Sequence, residues 1–192
     1  MAKGLSAESI TVAAAELIEQ YGRSGFSMRL LADTMGVKTA SLYNHIENMD
    51  TLLTEVCRYA LRMQGDGELR AIAGKTGREA VWALAWAYRR FAQQHRELYW
   101  LVMDTAAGEP RVLDDAAARF TEPLKQVLSG FRLPPGEDIH FRRMFRAIVH
   151  GFASQEDEGF FSHYPASTEL SFEFAIQRFI DCVLEAEKRN PS

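Results

Sequence analysis

The sequence predicts an all-α protein, and three observations support this fold class. Hydrophobic residues recur at helical spacing along most of the 192-residue chain. No segment shows the strict alternation of apolar and polar residues that is typical of a half-buried β-strand. Glycine and proline cluster where the helical periodicity stops. We therefore expect about nine helices, divided between a small N-terminal three-helix domain and a larger C-terminal helical domain.

The first two predicted helices have clear start and end signals. Ser6 is expected to cap the first helix, because its hydroxyl can accept a hydrogen bond from a backbone N–H of the first turn. Apolar side chains then follow at helical spacing over residues 10–21, and Gly22 or Gly25 is expected to end the helix. Ser27 is expected to cap the second helix.

Residues 26–53 predict a helix-turn-helix. Gly36 falls where the chain must leave the second helix in a left-handed conformation, which glycine adopts at low cost. Leu42 and Ile46 are four residues apart and would place the third helix on the same core. A short polar surface remains on the outside of that helix, and such a surface can enter the major groove of DNA. The outward residues are Lys38, Thr39, Ser41, Tyr43, Asn44 and His45.

A fourth helix is expected to start at Asn48 or Asp50 and to reach about Gln64. Four glycines within thirteen residues then predict a hinge or a loose linker; they are Gly65, Gly67, Gly74 and Gly77. The predicted domain organisation is a helix-turn-helix domain at 1–50, a connecting helix with its linker at 51–77, and a helical domain at 78–192.

Five further helices are predicted after the linker. The helical pattern covers residues 78–91, 95–103, 112–128, 138–157 and 167–187. Breaks are expected at residues 108–110, with sequence Gly-Glu-Pro, and at residues 134–136, with sequence Pro-Pro-Gly.

The composition favours one cellular compartment but does not identify a binding partner. With 47% hydrophobic residues the chain can bury a sizeable core, and it contains no run of eighteen apolar residues that could span a membrane. The N-terminus lacks an apolar signal core, so we expect a cytoplasmic protein in which Cys57 and Cys182 are buried, reduced thiols. Net charge is −4, but phosphate neutralisation is local, and Arg29 and Lys38 fall on the predicted contact face.

The helix-turn-helix segment resembles the DNA-binding domain of TetR-family regulators over about residues 9–56. The resemblance rests on the pairs Gly36-Val37, Leu42-Tyr43 and Leu52-Leu53, together with His45 and Asp50. Position 49 is Met, where the family usually has a lysine that contacts a phosphate. The resemblance implies a DNA-binding surface with the residues of the third helix and the start of the second: Ser27, Met28, Arg29, Lys38, Thr39, Ser41, Tyr43, Asn44 and His45.

The C-terminal half is similar to the ligand domain often called WHG. The similarity rests on a tryptophan-rich helix, the segment His95–Leu101 and the triplet Val149-His150-Gly151; Phe145 occupies the position where those domains usually have a tryptophan. A domain of this kind implies a cavity for an apolar or aromatic effector and a two-fold four-helix interface. Candidate pocket residues are Trp82, Trp86, Tyr99, Met103, Phe120, Phe145 and His150. Candidate interface residues are Phe141, Ile148, Phe152, Phe172, Ile176, Phe179 and Val183.

The functional hypothesis is a homodimeric repressor that leaves a palindromic operator when a small molecule binds. An activator, or a helical interaction protein that no longer uses its DNA-binding domain, remains an alternative. The sequence contains no nucleophile elbow, phosphate loop or zinc-ligand spacing, so we expect no enzyme activity, no metal and no cofactor.

Overall fold

The computed structural model describes residues 5–108 and 114–190, and within these residues it contains α-helices and one short 3-10 helix but no strand. The predicted break at residues 108–110 lies largely outside the described residues. No helix in the described ranges is both long and apolar enough to cross a bilayer. Nine α-helices are present in this part of the chain, in agreement with the predicted all-α class: α1 Ala7–Gly25, α2 Met28–Met35, α3 Thr39–Leu42, α4 Met49–Ile72, α5 Gly77–Gln94, α6 Arg96–Gly108, α7 Asp114–Ser129, α8 Asp138–Asp157 and α9 Thr168–Lys188.

Helix α1 begins and ends at the predicted residues. The Ser6 hydroxyl accepts a hydrogen bond from the N–H of Ser9 at 3.1 Å, and the Ser9 hydroxyl accepts one from the N–H of Ser6 at 3.0 Å. This reciprocal pair is a capping box. Regular helical geometry breaks at Gly22, whose φ is 71°, and the last turn ends at Gly25.

The turn between α2 and α3 also agrees with the sequence prediction. Ser27 caps α2 by accepting a hydrogen bond from the N–H of Leu30 at 3.1 Å. Gly36 has a φ of 68° and closes the helix in the left-handed conformation. Helix α3 is only one turn long, but the N–H groups of His45 and Ile46 donate to the carbonyl of Leu42 at 2.9 and 3.1 Å. These bonds continue the turn as far as Ile46.

Helix α4 is longer than the sequence predicted. Asn48 caps it by accepting a hydrogen bond from the N–H of Thr51 at 2.8 Å, but the helix continues past Gln64 to Ile72. The prediction that it stops near Gln64 is therefore wrong. A glycine inside a helix costs about 1 kcal/mol relative to alanine. Burial of the apolar side chain of Ile72, which is 3% exposed, favours the longer helix. The chain turns instead at Gly74 and Gly77, which have φ values of 73° and 52°.

Backbone contacts divide the chain into two compact units. The first comprises the described residues of Met1–Gln64 and His95–Phe120, and the second comprises those of Gly65–Gln94 and Thr121–Ser192. In the first unit α1 packs against α2 and α6. The buried Cys57 thiol lies 3.3 Å from Oγ1 of Thr105 in this unit, and burial raises the pKa of that thiol. Cys182 is exposed on α9, so the prediction that both thiols are buried is wrong for this residue.

The core of the second unit is an aromatic cluster on α5, α8 and α9. Phe179 contacts the rings of Phe141 and Phe145 with centroid separations of 6.1 and 5.4 Å. Phe172 contacts Trp86 at 5.3 Å and Phe152 at 5.2 Å. Edge-to-face ring pairs of this kind stabilise a core beyond the area that they bury.

This cluster corrects the predicted dimer interface. Four of the seven predicted interface side chains on α8 and α9 are wholly buried inside the single chain, and a fifth is nearly so. They fill the space between α5, α8 and α9, so they have no surface left for a partner. The buried residues are Phe141, Phe172, Ile176, Phe179 and Val183. Ile148 and Phe152 are half-buried.

Candidate nucleic-acid interface and ligand groove

The glycine turn fixes which side of α3 faces the core. The N–H of Val37 donates to the carbonyl of Ala32 at 3.0 Å, which holds the start of α3 against the end of α2. Ala32 is buried and small, so the two helices can approach closely. Leu42 and Ile46 are buried on the inner side. The opposite side of the segment is consequently available to solvent.

The predicted contact residues of the α3 segment lie on that outer side. Thr39 and Ser41 are half-buried, and the other four side chains are exposed. Tyr43 has 50% of its surface exposed although it is a large aromatic residue. This side of the described segment therefore presents hydroxyl, amide, imidazole and ammonium groups to solvent. The four exposed residues are Lys38, Tyr43, Asn44 and His45.

The start of α2 adds a second part to this surface. Ser27 and Arg29 are exposed, whereas Met28 is only 7% exposed, which leaves its backbone N–H rather than its side chain for the predicted contact. Its side chain packs into the core because it lies on the inner side of the first turn. The first turn of α2 contains no acidic residue. Its exposed N-terminus therefore favours a phosphate through the helix dipole, a feature that sequence reasoning did not identify.

Arg29 is held only loosely in the folded chain. Its Nε lies 3.8 Å from Oδ2 of Asp33, and both side chains are highly exposed. Surface ion pairs of this kind contribute about 0–1 kcal/mol and are screened by salt. A phosphate or a guanine edge can therefore compete for the guanidinium at little cost.

A groove in the second unit brings together two of the predicted pocket residues. Trp82 and Trp86 line a depression of about 420 Å³ on α5. The guanidinium of Arg89 lies 5.1 Å from the centre of the Trp86 ring and fixes that indole by a cation–π contact. The other residues that line the groove are Ala71, Lys75, Glu79, Ala83 and Arg90.

Sequence reasoning missed the charged residues of this groove. Arg90 follows Trp86 by four residues and Trp82 by eight, so helical spacing alone places the three on one face of α5. Lys75 lies in the turn that precedes α5, where helical periodicity could not predict a groove residue. The groove thus combines two indoles with both signs of charge, a composition that suits a flat, partly polar ligand.

The remaining predicted pocket residues do not lie in this groove. Phe145 packs on Phe179 in the core, and His150 is half-buried on α8. Tyr99, Met103 and Phe120 belong to the first unit, where Tyr99 is buried against Trp100 with a ring separation of 5.5 Å. In the described residues no group of three or more metal-ligating side chains is present.

Two family models match most of the chain. The model described as "Bacterial regulatory proteins, tetR family" matches residues 10–56, which contain α2, α3 and the glycine turn. The model described as "Tetracyclin repressor-like, C-terminal domain" matches residues 81–179, which is more than half of the chain.

A curated relative and two solved structures are also similar to this chain. The chain is 27% identical over 186 residues to the uncharacterized HTH-type transcriptional regulator YobS of Bacillus subtilis, with 94% of each chain covered. A protein with unknown function from Rhodococcus sp. RHA1 has a similar structure, with a TM-score of 0.78, 22% identity, and coverage of 94% of this chain and 96% of that chain. The TetR family protein ActR of Streptomyces coelicolor, in complex with (S)-DNPA, matches with a TM-score of 0.65, 19% identity, and coverage of 95% and 98%.

Proposed function

Because the chain belongs to the TetR family of DNA-binding transcriptional regulators, we propose that it is a cytoplasmic repressor released from a palindromic operator by a small-molecule effector. The observation that carries this proposal is the orientation of the α3 segment. Leu42 and Ile46 are buried while the polar side chains between Lys38 and His45 remain outside. The match of residues 81–179 to a tetracycline-repressor-like domain supports the repressor role and the response to an effector.

Each exposed group has a role that suits its chemistry. Thr39, Ser41 and Asn44 would contact base edges, because their hydroxyl and amide groups can both donate and accept. Arg29 would pair with a guanine through its two parallel N–H groups. The other groups would position the protein on the backbone phosphates; they are the hydroxyls of Ser27 and Tyr43, the backbone N–H of Met28, the Lys38 ammonium and the His45 ring.

A dimer would form through the outer face of α8 and α9. The buried aromatic residues already serve the core, but Met144, Leu170 and Phe174 are large apolar side chains that remain exposed on these helices. Ile148, half-buried on α8, extends the same apolar surface. A two-fold axis at this face would place two α3 segments on half-sites separated by a helical turn of DNA or a multiple of it.

The groove at Trp82 and Trp86 is our candidate effector site. The complex of the structurally similar ActR with (S)-DNPA supports a bound ligand for this chain as well. Helix α4 starts directly after the α3 segment and ends at Ile72, next to the groove residue Ala71. An effector that prefers one position of the end of α4 would shift the population between a DNA-bound and a released conformation.

Selection of bound duplexes from a random DNA pool, with the full-length protein, tests the proposed function. A repressor of this kind should enrich a palindrome and bind it with an affinity that falls steeply as salt rises. Mass spectrometry of ligands that co-purify with the protein would then supply the effector for a release assay. No enrichment, with or without a co-purified ligand, would contradict the proposal and favour an interaction protein.

A further inference from the structure

The tryptophan groove, which is the depression lined by Trp82 and Trp86, carries a net positive charge. Its volume of about 420 Å³ lies within the range of about 300–1,000 Å³ that is typical of small-molecule sites. Two of its lining residues are cationic and one is anionic; they are Lys75, Arg90 and Glu79. The charge of the lining therefore bears on the class of ligand that the groove can hold.

Arg90 supplies a positive charge that is available to a ligand. Its side chain is exposed and forms no hydrogen bond or ion pair with any other residue in the part of the chain that the structure describes. By contrast, Nζ of Lys75 lies 4.0 Å from Oε1 of Glu79, whose side chain is 72% exposed. Exposed pairs of this kind are weak and are screened by salt. A ligand carboxylate can consequently pair with Arg90 without first breaking an ion pair.

Helical spacing places Arg90 beside the two indoles. Trp82, Trp86 and Arg90 follow one another at intervals of four residues, so they lie on the same face of α5. Four residues rise about 6 Å along a helix. A ring that stacks on Trp86 therefore brings a carboxylate attached directly to that ring within reach of the long Arg90 side chain.

The indole of Trp86 is held in place by its neighbours. The guanidinium of Arg89 lies 5.1 Å from the ring centre, and Phe172 meets the ring edge-on at a centroid separation of 5.3 Å. Both groove indoles are half-buried, so part of each remains open to solvent. A ring that is already fixed loses less conformational freedom when a ligand stacks on it.

The charge of the groove decides between two classes of flat ligand. Tryptophan faces attract cations, so the indoles alone would also suit an aromatic amine. The side chains of Lys75 and Arg90 oppose a cation, because like charges that share one groove repel each other. The single carboxylate of the lining, Glu79, already lies beside Lys75. The balance favours an anion.

We propose that the tryptophan groove binds a planar aromatic carboxylate, which stacks on the indoles and pairs with Arg90. This inference rests on the proposed effector site and names the chemical class of its ligand. A carboxylate presents two oxygens to the parallel N–H groups of a guanidinium, a geometry that an alcohol or an amine does not reproduce. Arg90 is then the residue that selects acids over neutral ring compounds.

Isothermal titration of the full-length protein with 2-naphthoate tests this inference. We expect saturable binding of 2-naphthoate and binding weaker by about tenfold or more for 2-naphthylmethanol, which keeps the rings but lacks the charge. Decalin-2-carboxylate, which keeps the charge but is not flat, should also bind more weakly. Arg90→Gln should weaken 2-naphthoate binding by about tenfold, because the charge-assisted hydrogen bonds are lost. Arg143→Gln, which changes an exposed arginine of α8 outside the groove, should leave it unchanged.

The indole N–H signals in a two-dimensional NMR spectrum locate the bound ligand. The chain has three tryptophans, and the third, Trp100, does not line the groove. In an isotope-labelled sample, 2-naphthoate should shift the signals of Trp82 and Trp86, which are assigned with Trp82→Phe and Trp86→Phe. The signal of Trp100 should stay in place. A shift of the Trp100 signal alone would place the ligand elsewhere and overturn the inference.

Arg90→Gln is expected to fold, because the side chain is exposed, and thermal unfolding followed by circular dichroism checks this. The inference is overturned if 2-naphthoate does not bind, if 2-naphthylmethanol binds equally well, or if Arg90→Gln and Arg143→Gln bind 2-naphthoate alike. None of these measurements contains DNA. Selection of an operator without binding of 2-naphthoate would remove this inference and leave the repressor function standing, whereas binding of 2-naphthoate without selection of an operator would do the reverse.

Discussion

Nδ1 of His95 lies 3.3 Å from Oε1 of Glu19, which joins the middle of helix α1 to the residue that precedes α6. Oε1 is enclosed, and hydrogen bonds from His95 and from the backbone of Leu98 favour the charged form of the carboxyl group. Burial raises the pKa of Glu19 above its ordinary value of 4.5, and the nearby histidine only partly opposes this shift. A carboxyl group at the junction of two packed helices is thus disfavoured in its charged form.

The raised pKa of Glu19 predicts a pH-dependent stability. The folded chain keeps this proton over a pH range in which the unfolded chain has lost it, so this contribution to the free energy of unfolding is complete below pH 4.5. This contribution is lost as the pH rises through the pKa that Glu19 has in the folded chain. Glu19→Gln should remove that loss, because the amide stays neutral. Denaturant unfolding between pH 4 and pH 7 measures the difference.

Glu16→Gln is the matched control for this experiment. Glu16 is an exposed glutamate on the same helix. Its replacement should leave the pH dependence of unfolding close to wild type. Identical pH profiles for Glu19→Gln and the wild-type protein would show that burial of Glu19 does not affect stability.

Tyr43→Ala should weaken operator binding by about tenfold without loss of fold, because the hydroxyl is expected to contact a phosphate and the ring is exposed. Tyr21→Ala is the control, since Tyr21 has the same 50% exposure and lies on α1. Fluorescence anisotropy with a labelled duplex measures both. Equal affinities for the two variants would contradict the assignment of Tyr43 to the interface.

Phe174→Glu should convert the proposed dimer to monomers, because the side chain is 66% exposed on α9 and a charge there would be buried by a partner. Tyr164→Glu is the control, since Tyr164 is 68% exposed but precedes α9. Light scattering gives the mass of each variant. A normal dimer for Phe174→Glu would exclude this face. Phe179→Glu cannot test the interface, because Phe179 is wholly buried in the core and its replacement should unfold the unit.

The ion pair of Arg89 and Glu156 should be a major element of the C-terminal unit. Nε of Arg89 donates to Oε2 of Glu156 at 3.0 Å, and both side chains are largely buried. Glu156→Gln should lower the free energy of unfolding by about 3–5 kcal/mol, because it leaves a buried guanidinium without its charge partner. Asp33→Asn, at the exposed pair with Arg29, should change it by less than about 1 kcal/mol. Urea unfolding compares them, and similar small losses would contradict the prediction.

Local signals in the sequence predicted much of the fold. The two helix caps and the glycine turn involve hydrogen bonds to residues at most four positions away; they are Ser6, Ser27 and Gly36. Their roles therefore follow from chain geometry alone. Helices α8 and α9 were placed within one or two residues for the same reason. The end of α4 was not, because Gly65 and Gly67 predicted a break, whereas the burial of Ile72 depends on tertiary packing that local spacing does not show.

The sequence predicted less of the candidate sites than of the fold. Phe172 and Phe174 are two residues apart on α9, yet one is buried in the core and the other is exposed. Hydrophobicity cannot separate them; only the direction in which α9 packs on α5 and α8 does so.

The salt dependence of operator binding is the most direct test of whether the Lys38–His45 segment contacts duplex DNA. Anisotropy titrations from 50 to 300 mM salt (about the range in which counterion release is measurable) should give a steep negative slope of log affinity against log salt for the wild-type protein. Lys38→Gln should reduce that slope by about one per protomer, because one phosphate contact is lost. An unchanged slope and affinity for both Lys38→Gln and Tyr43→Ala would contradict the account.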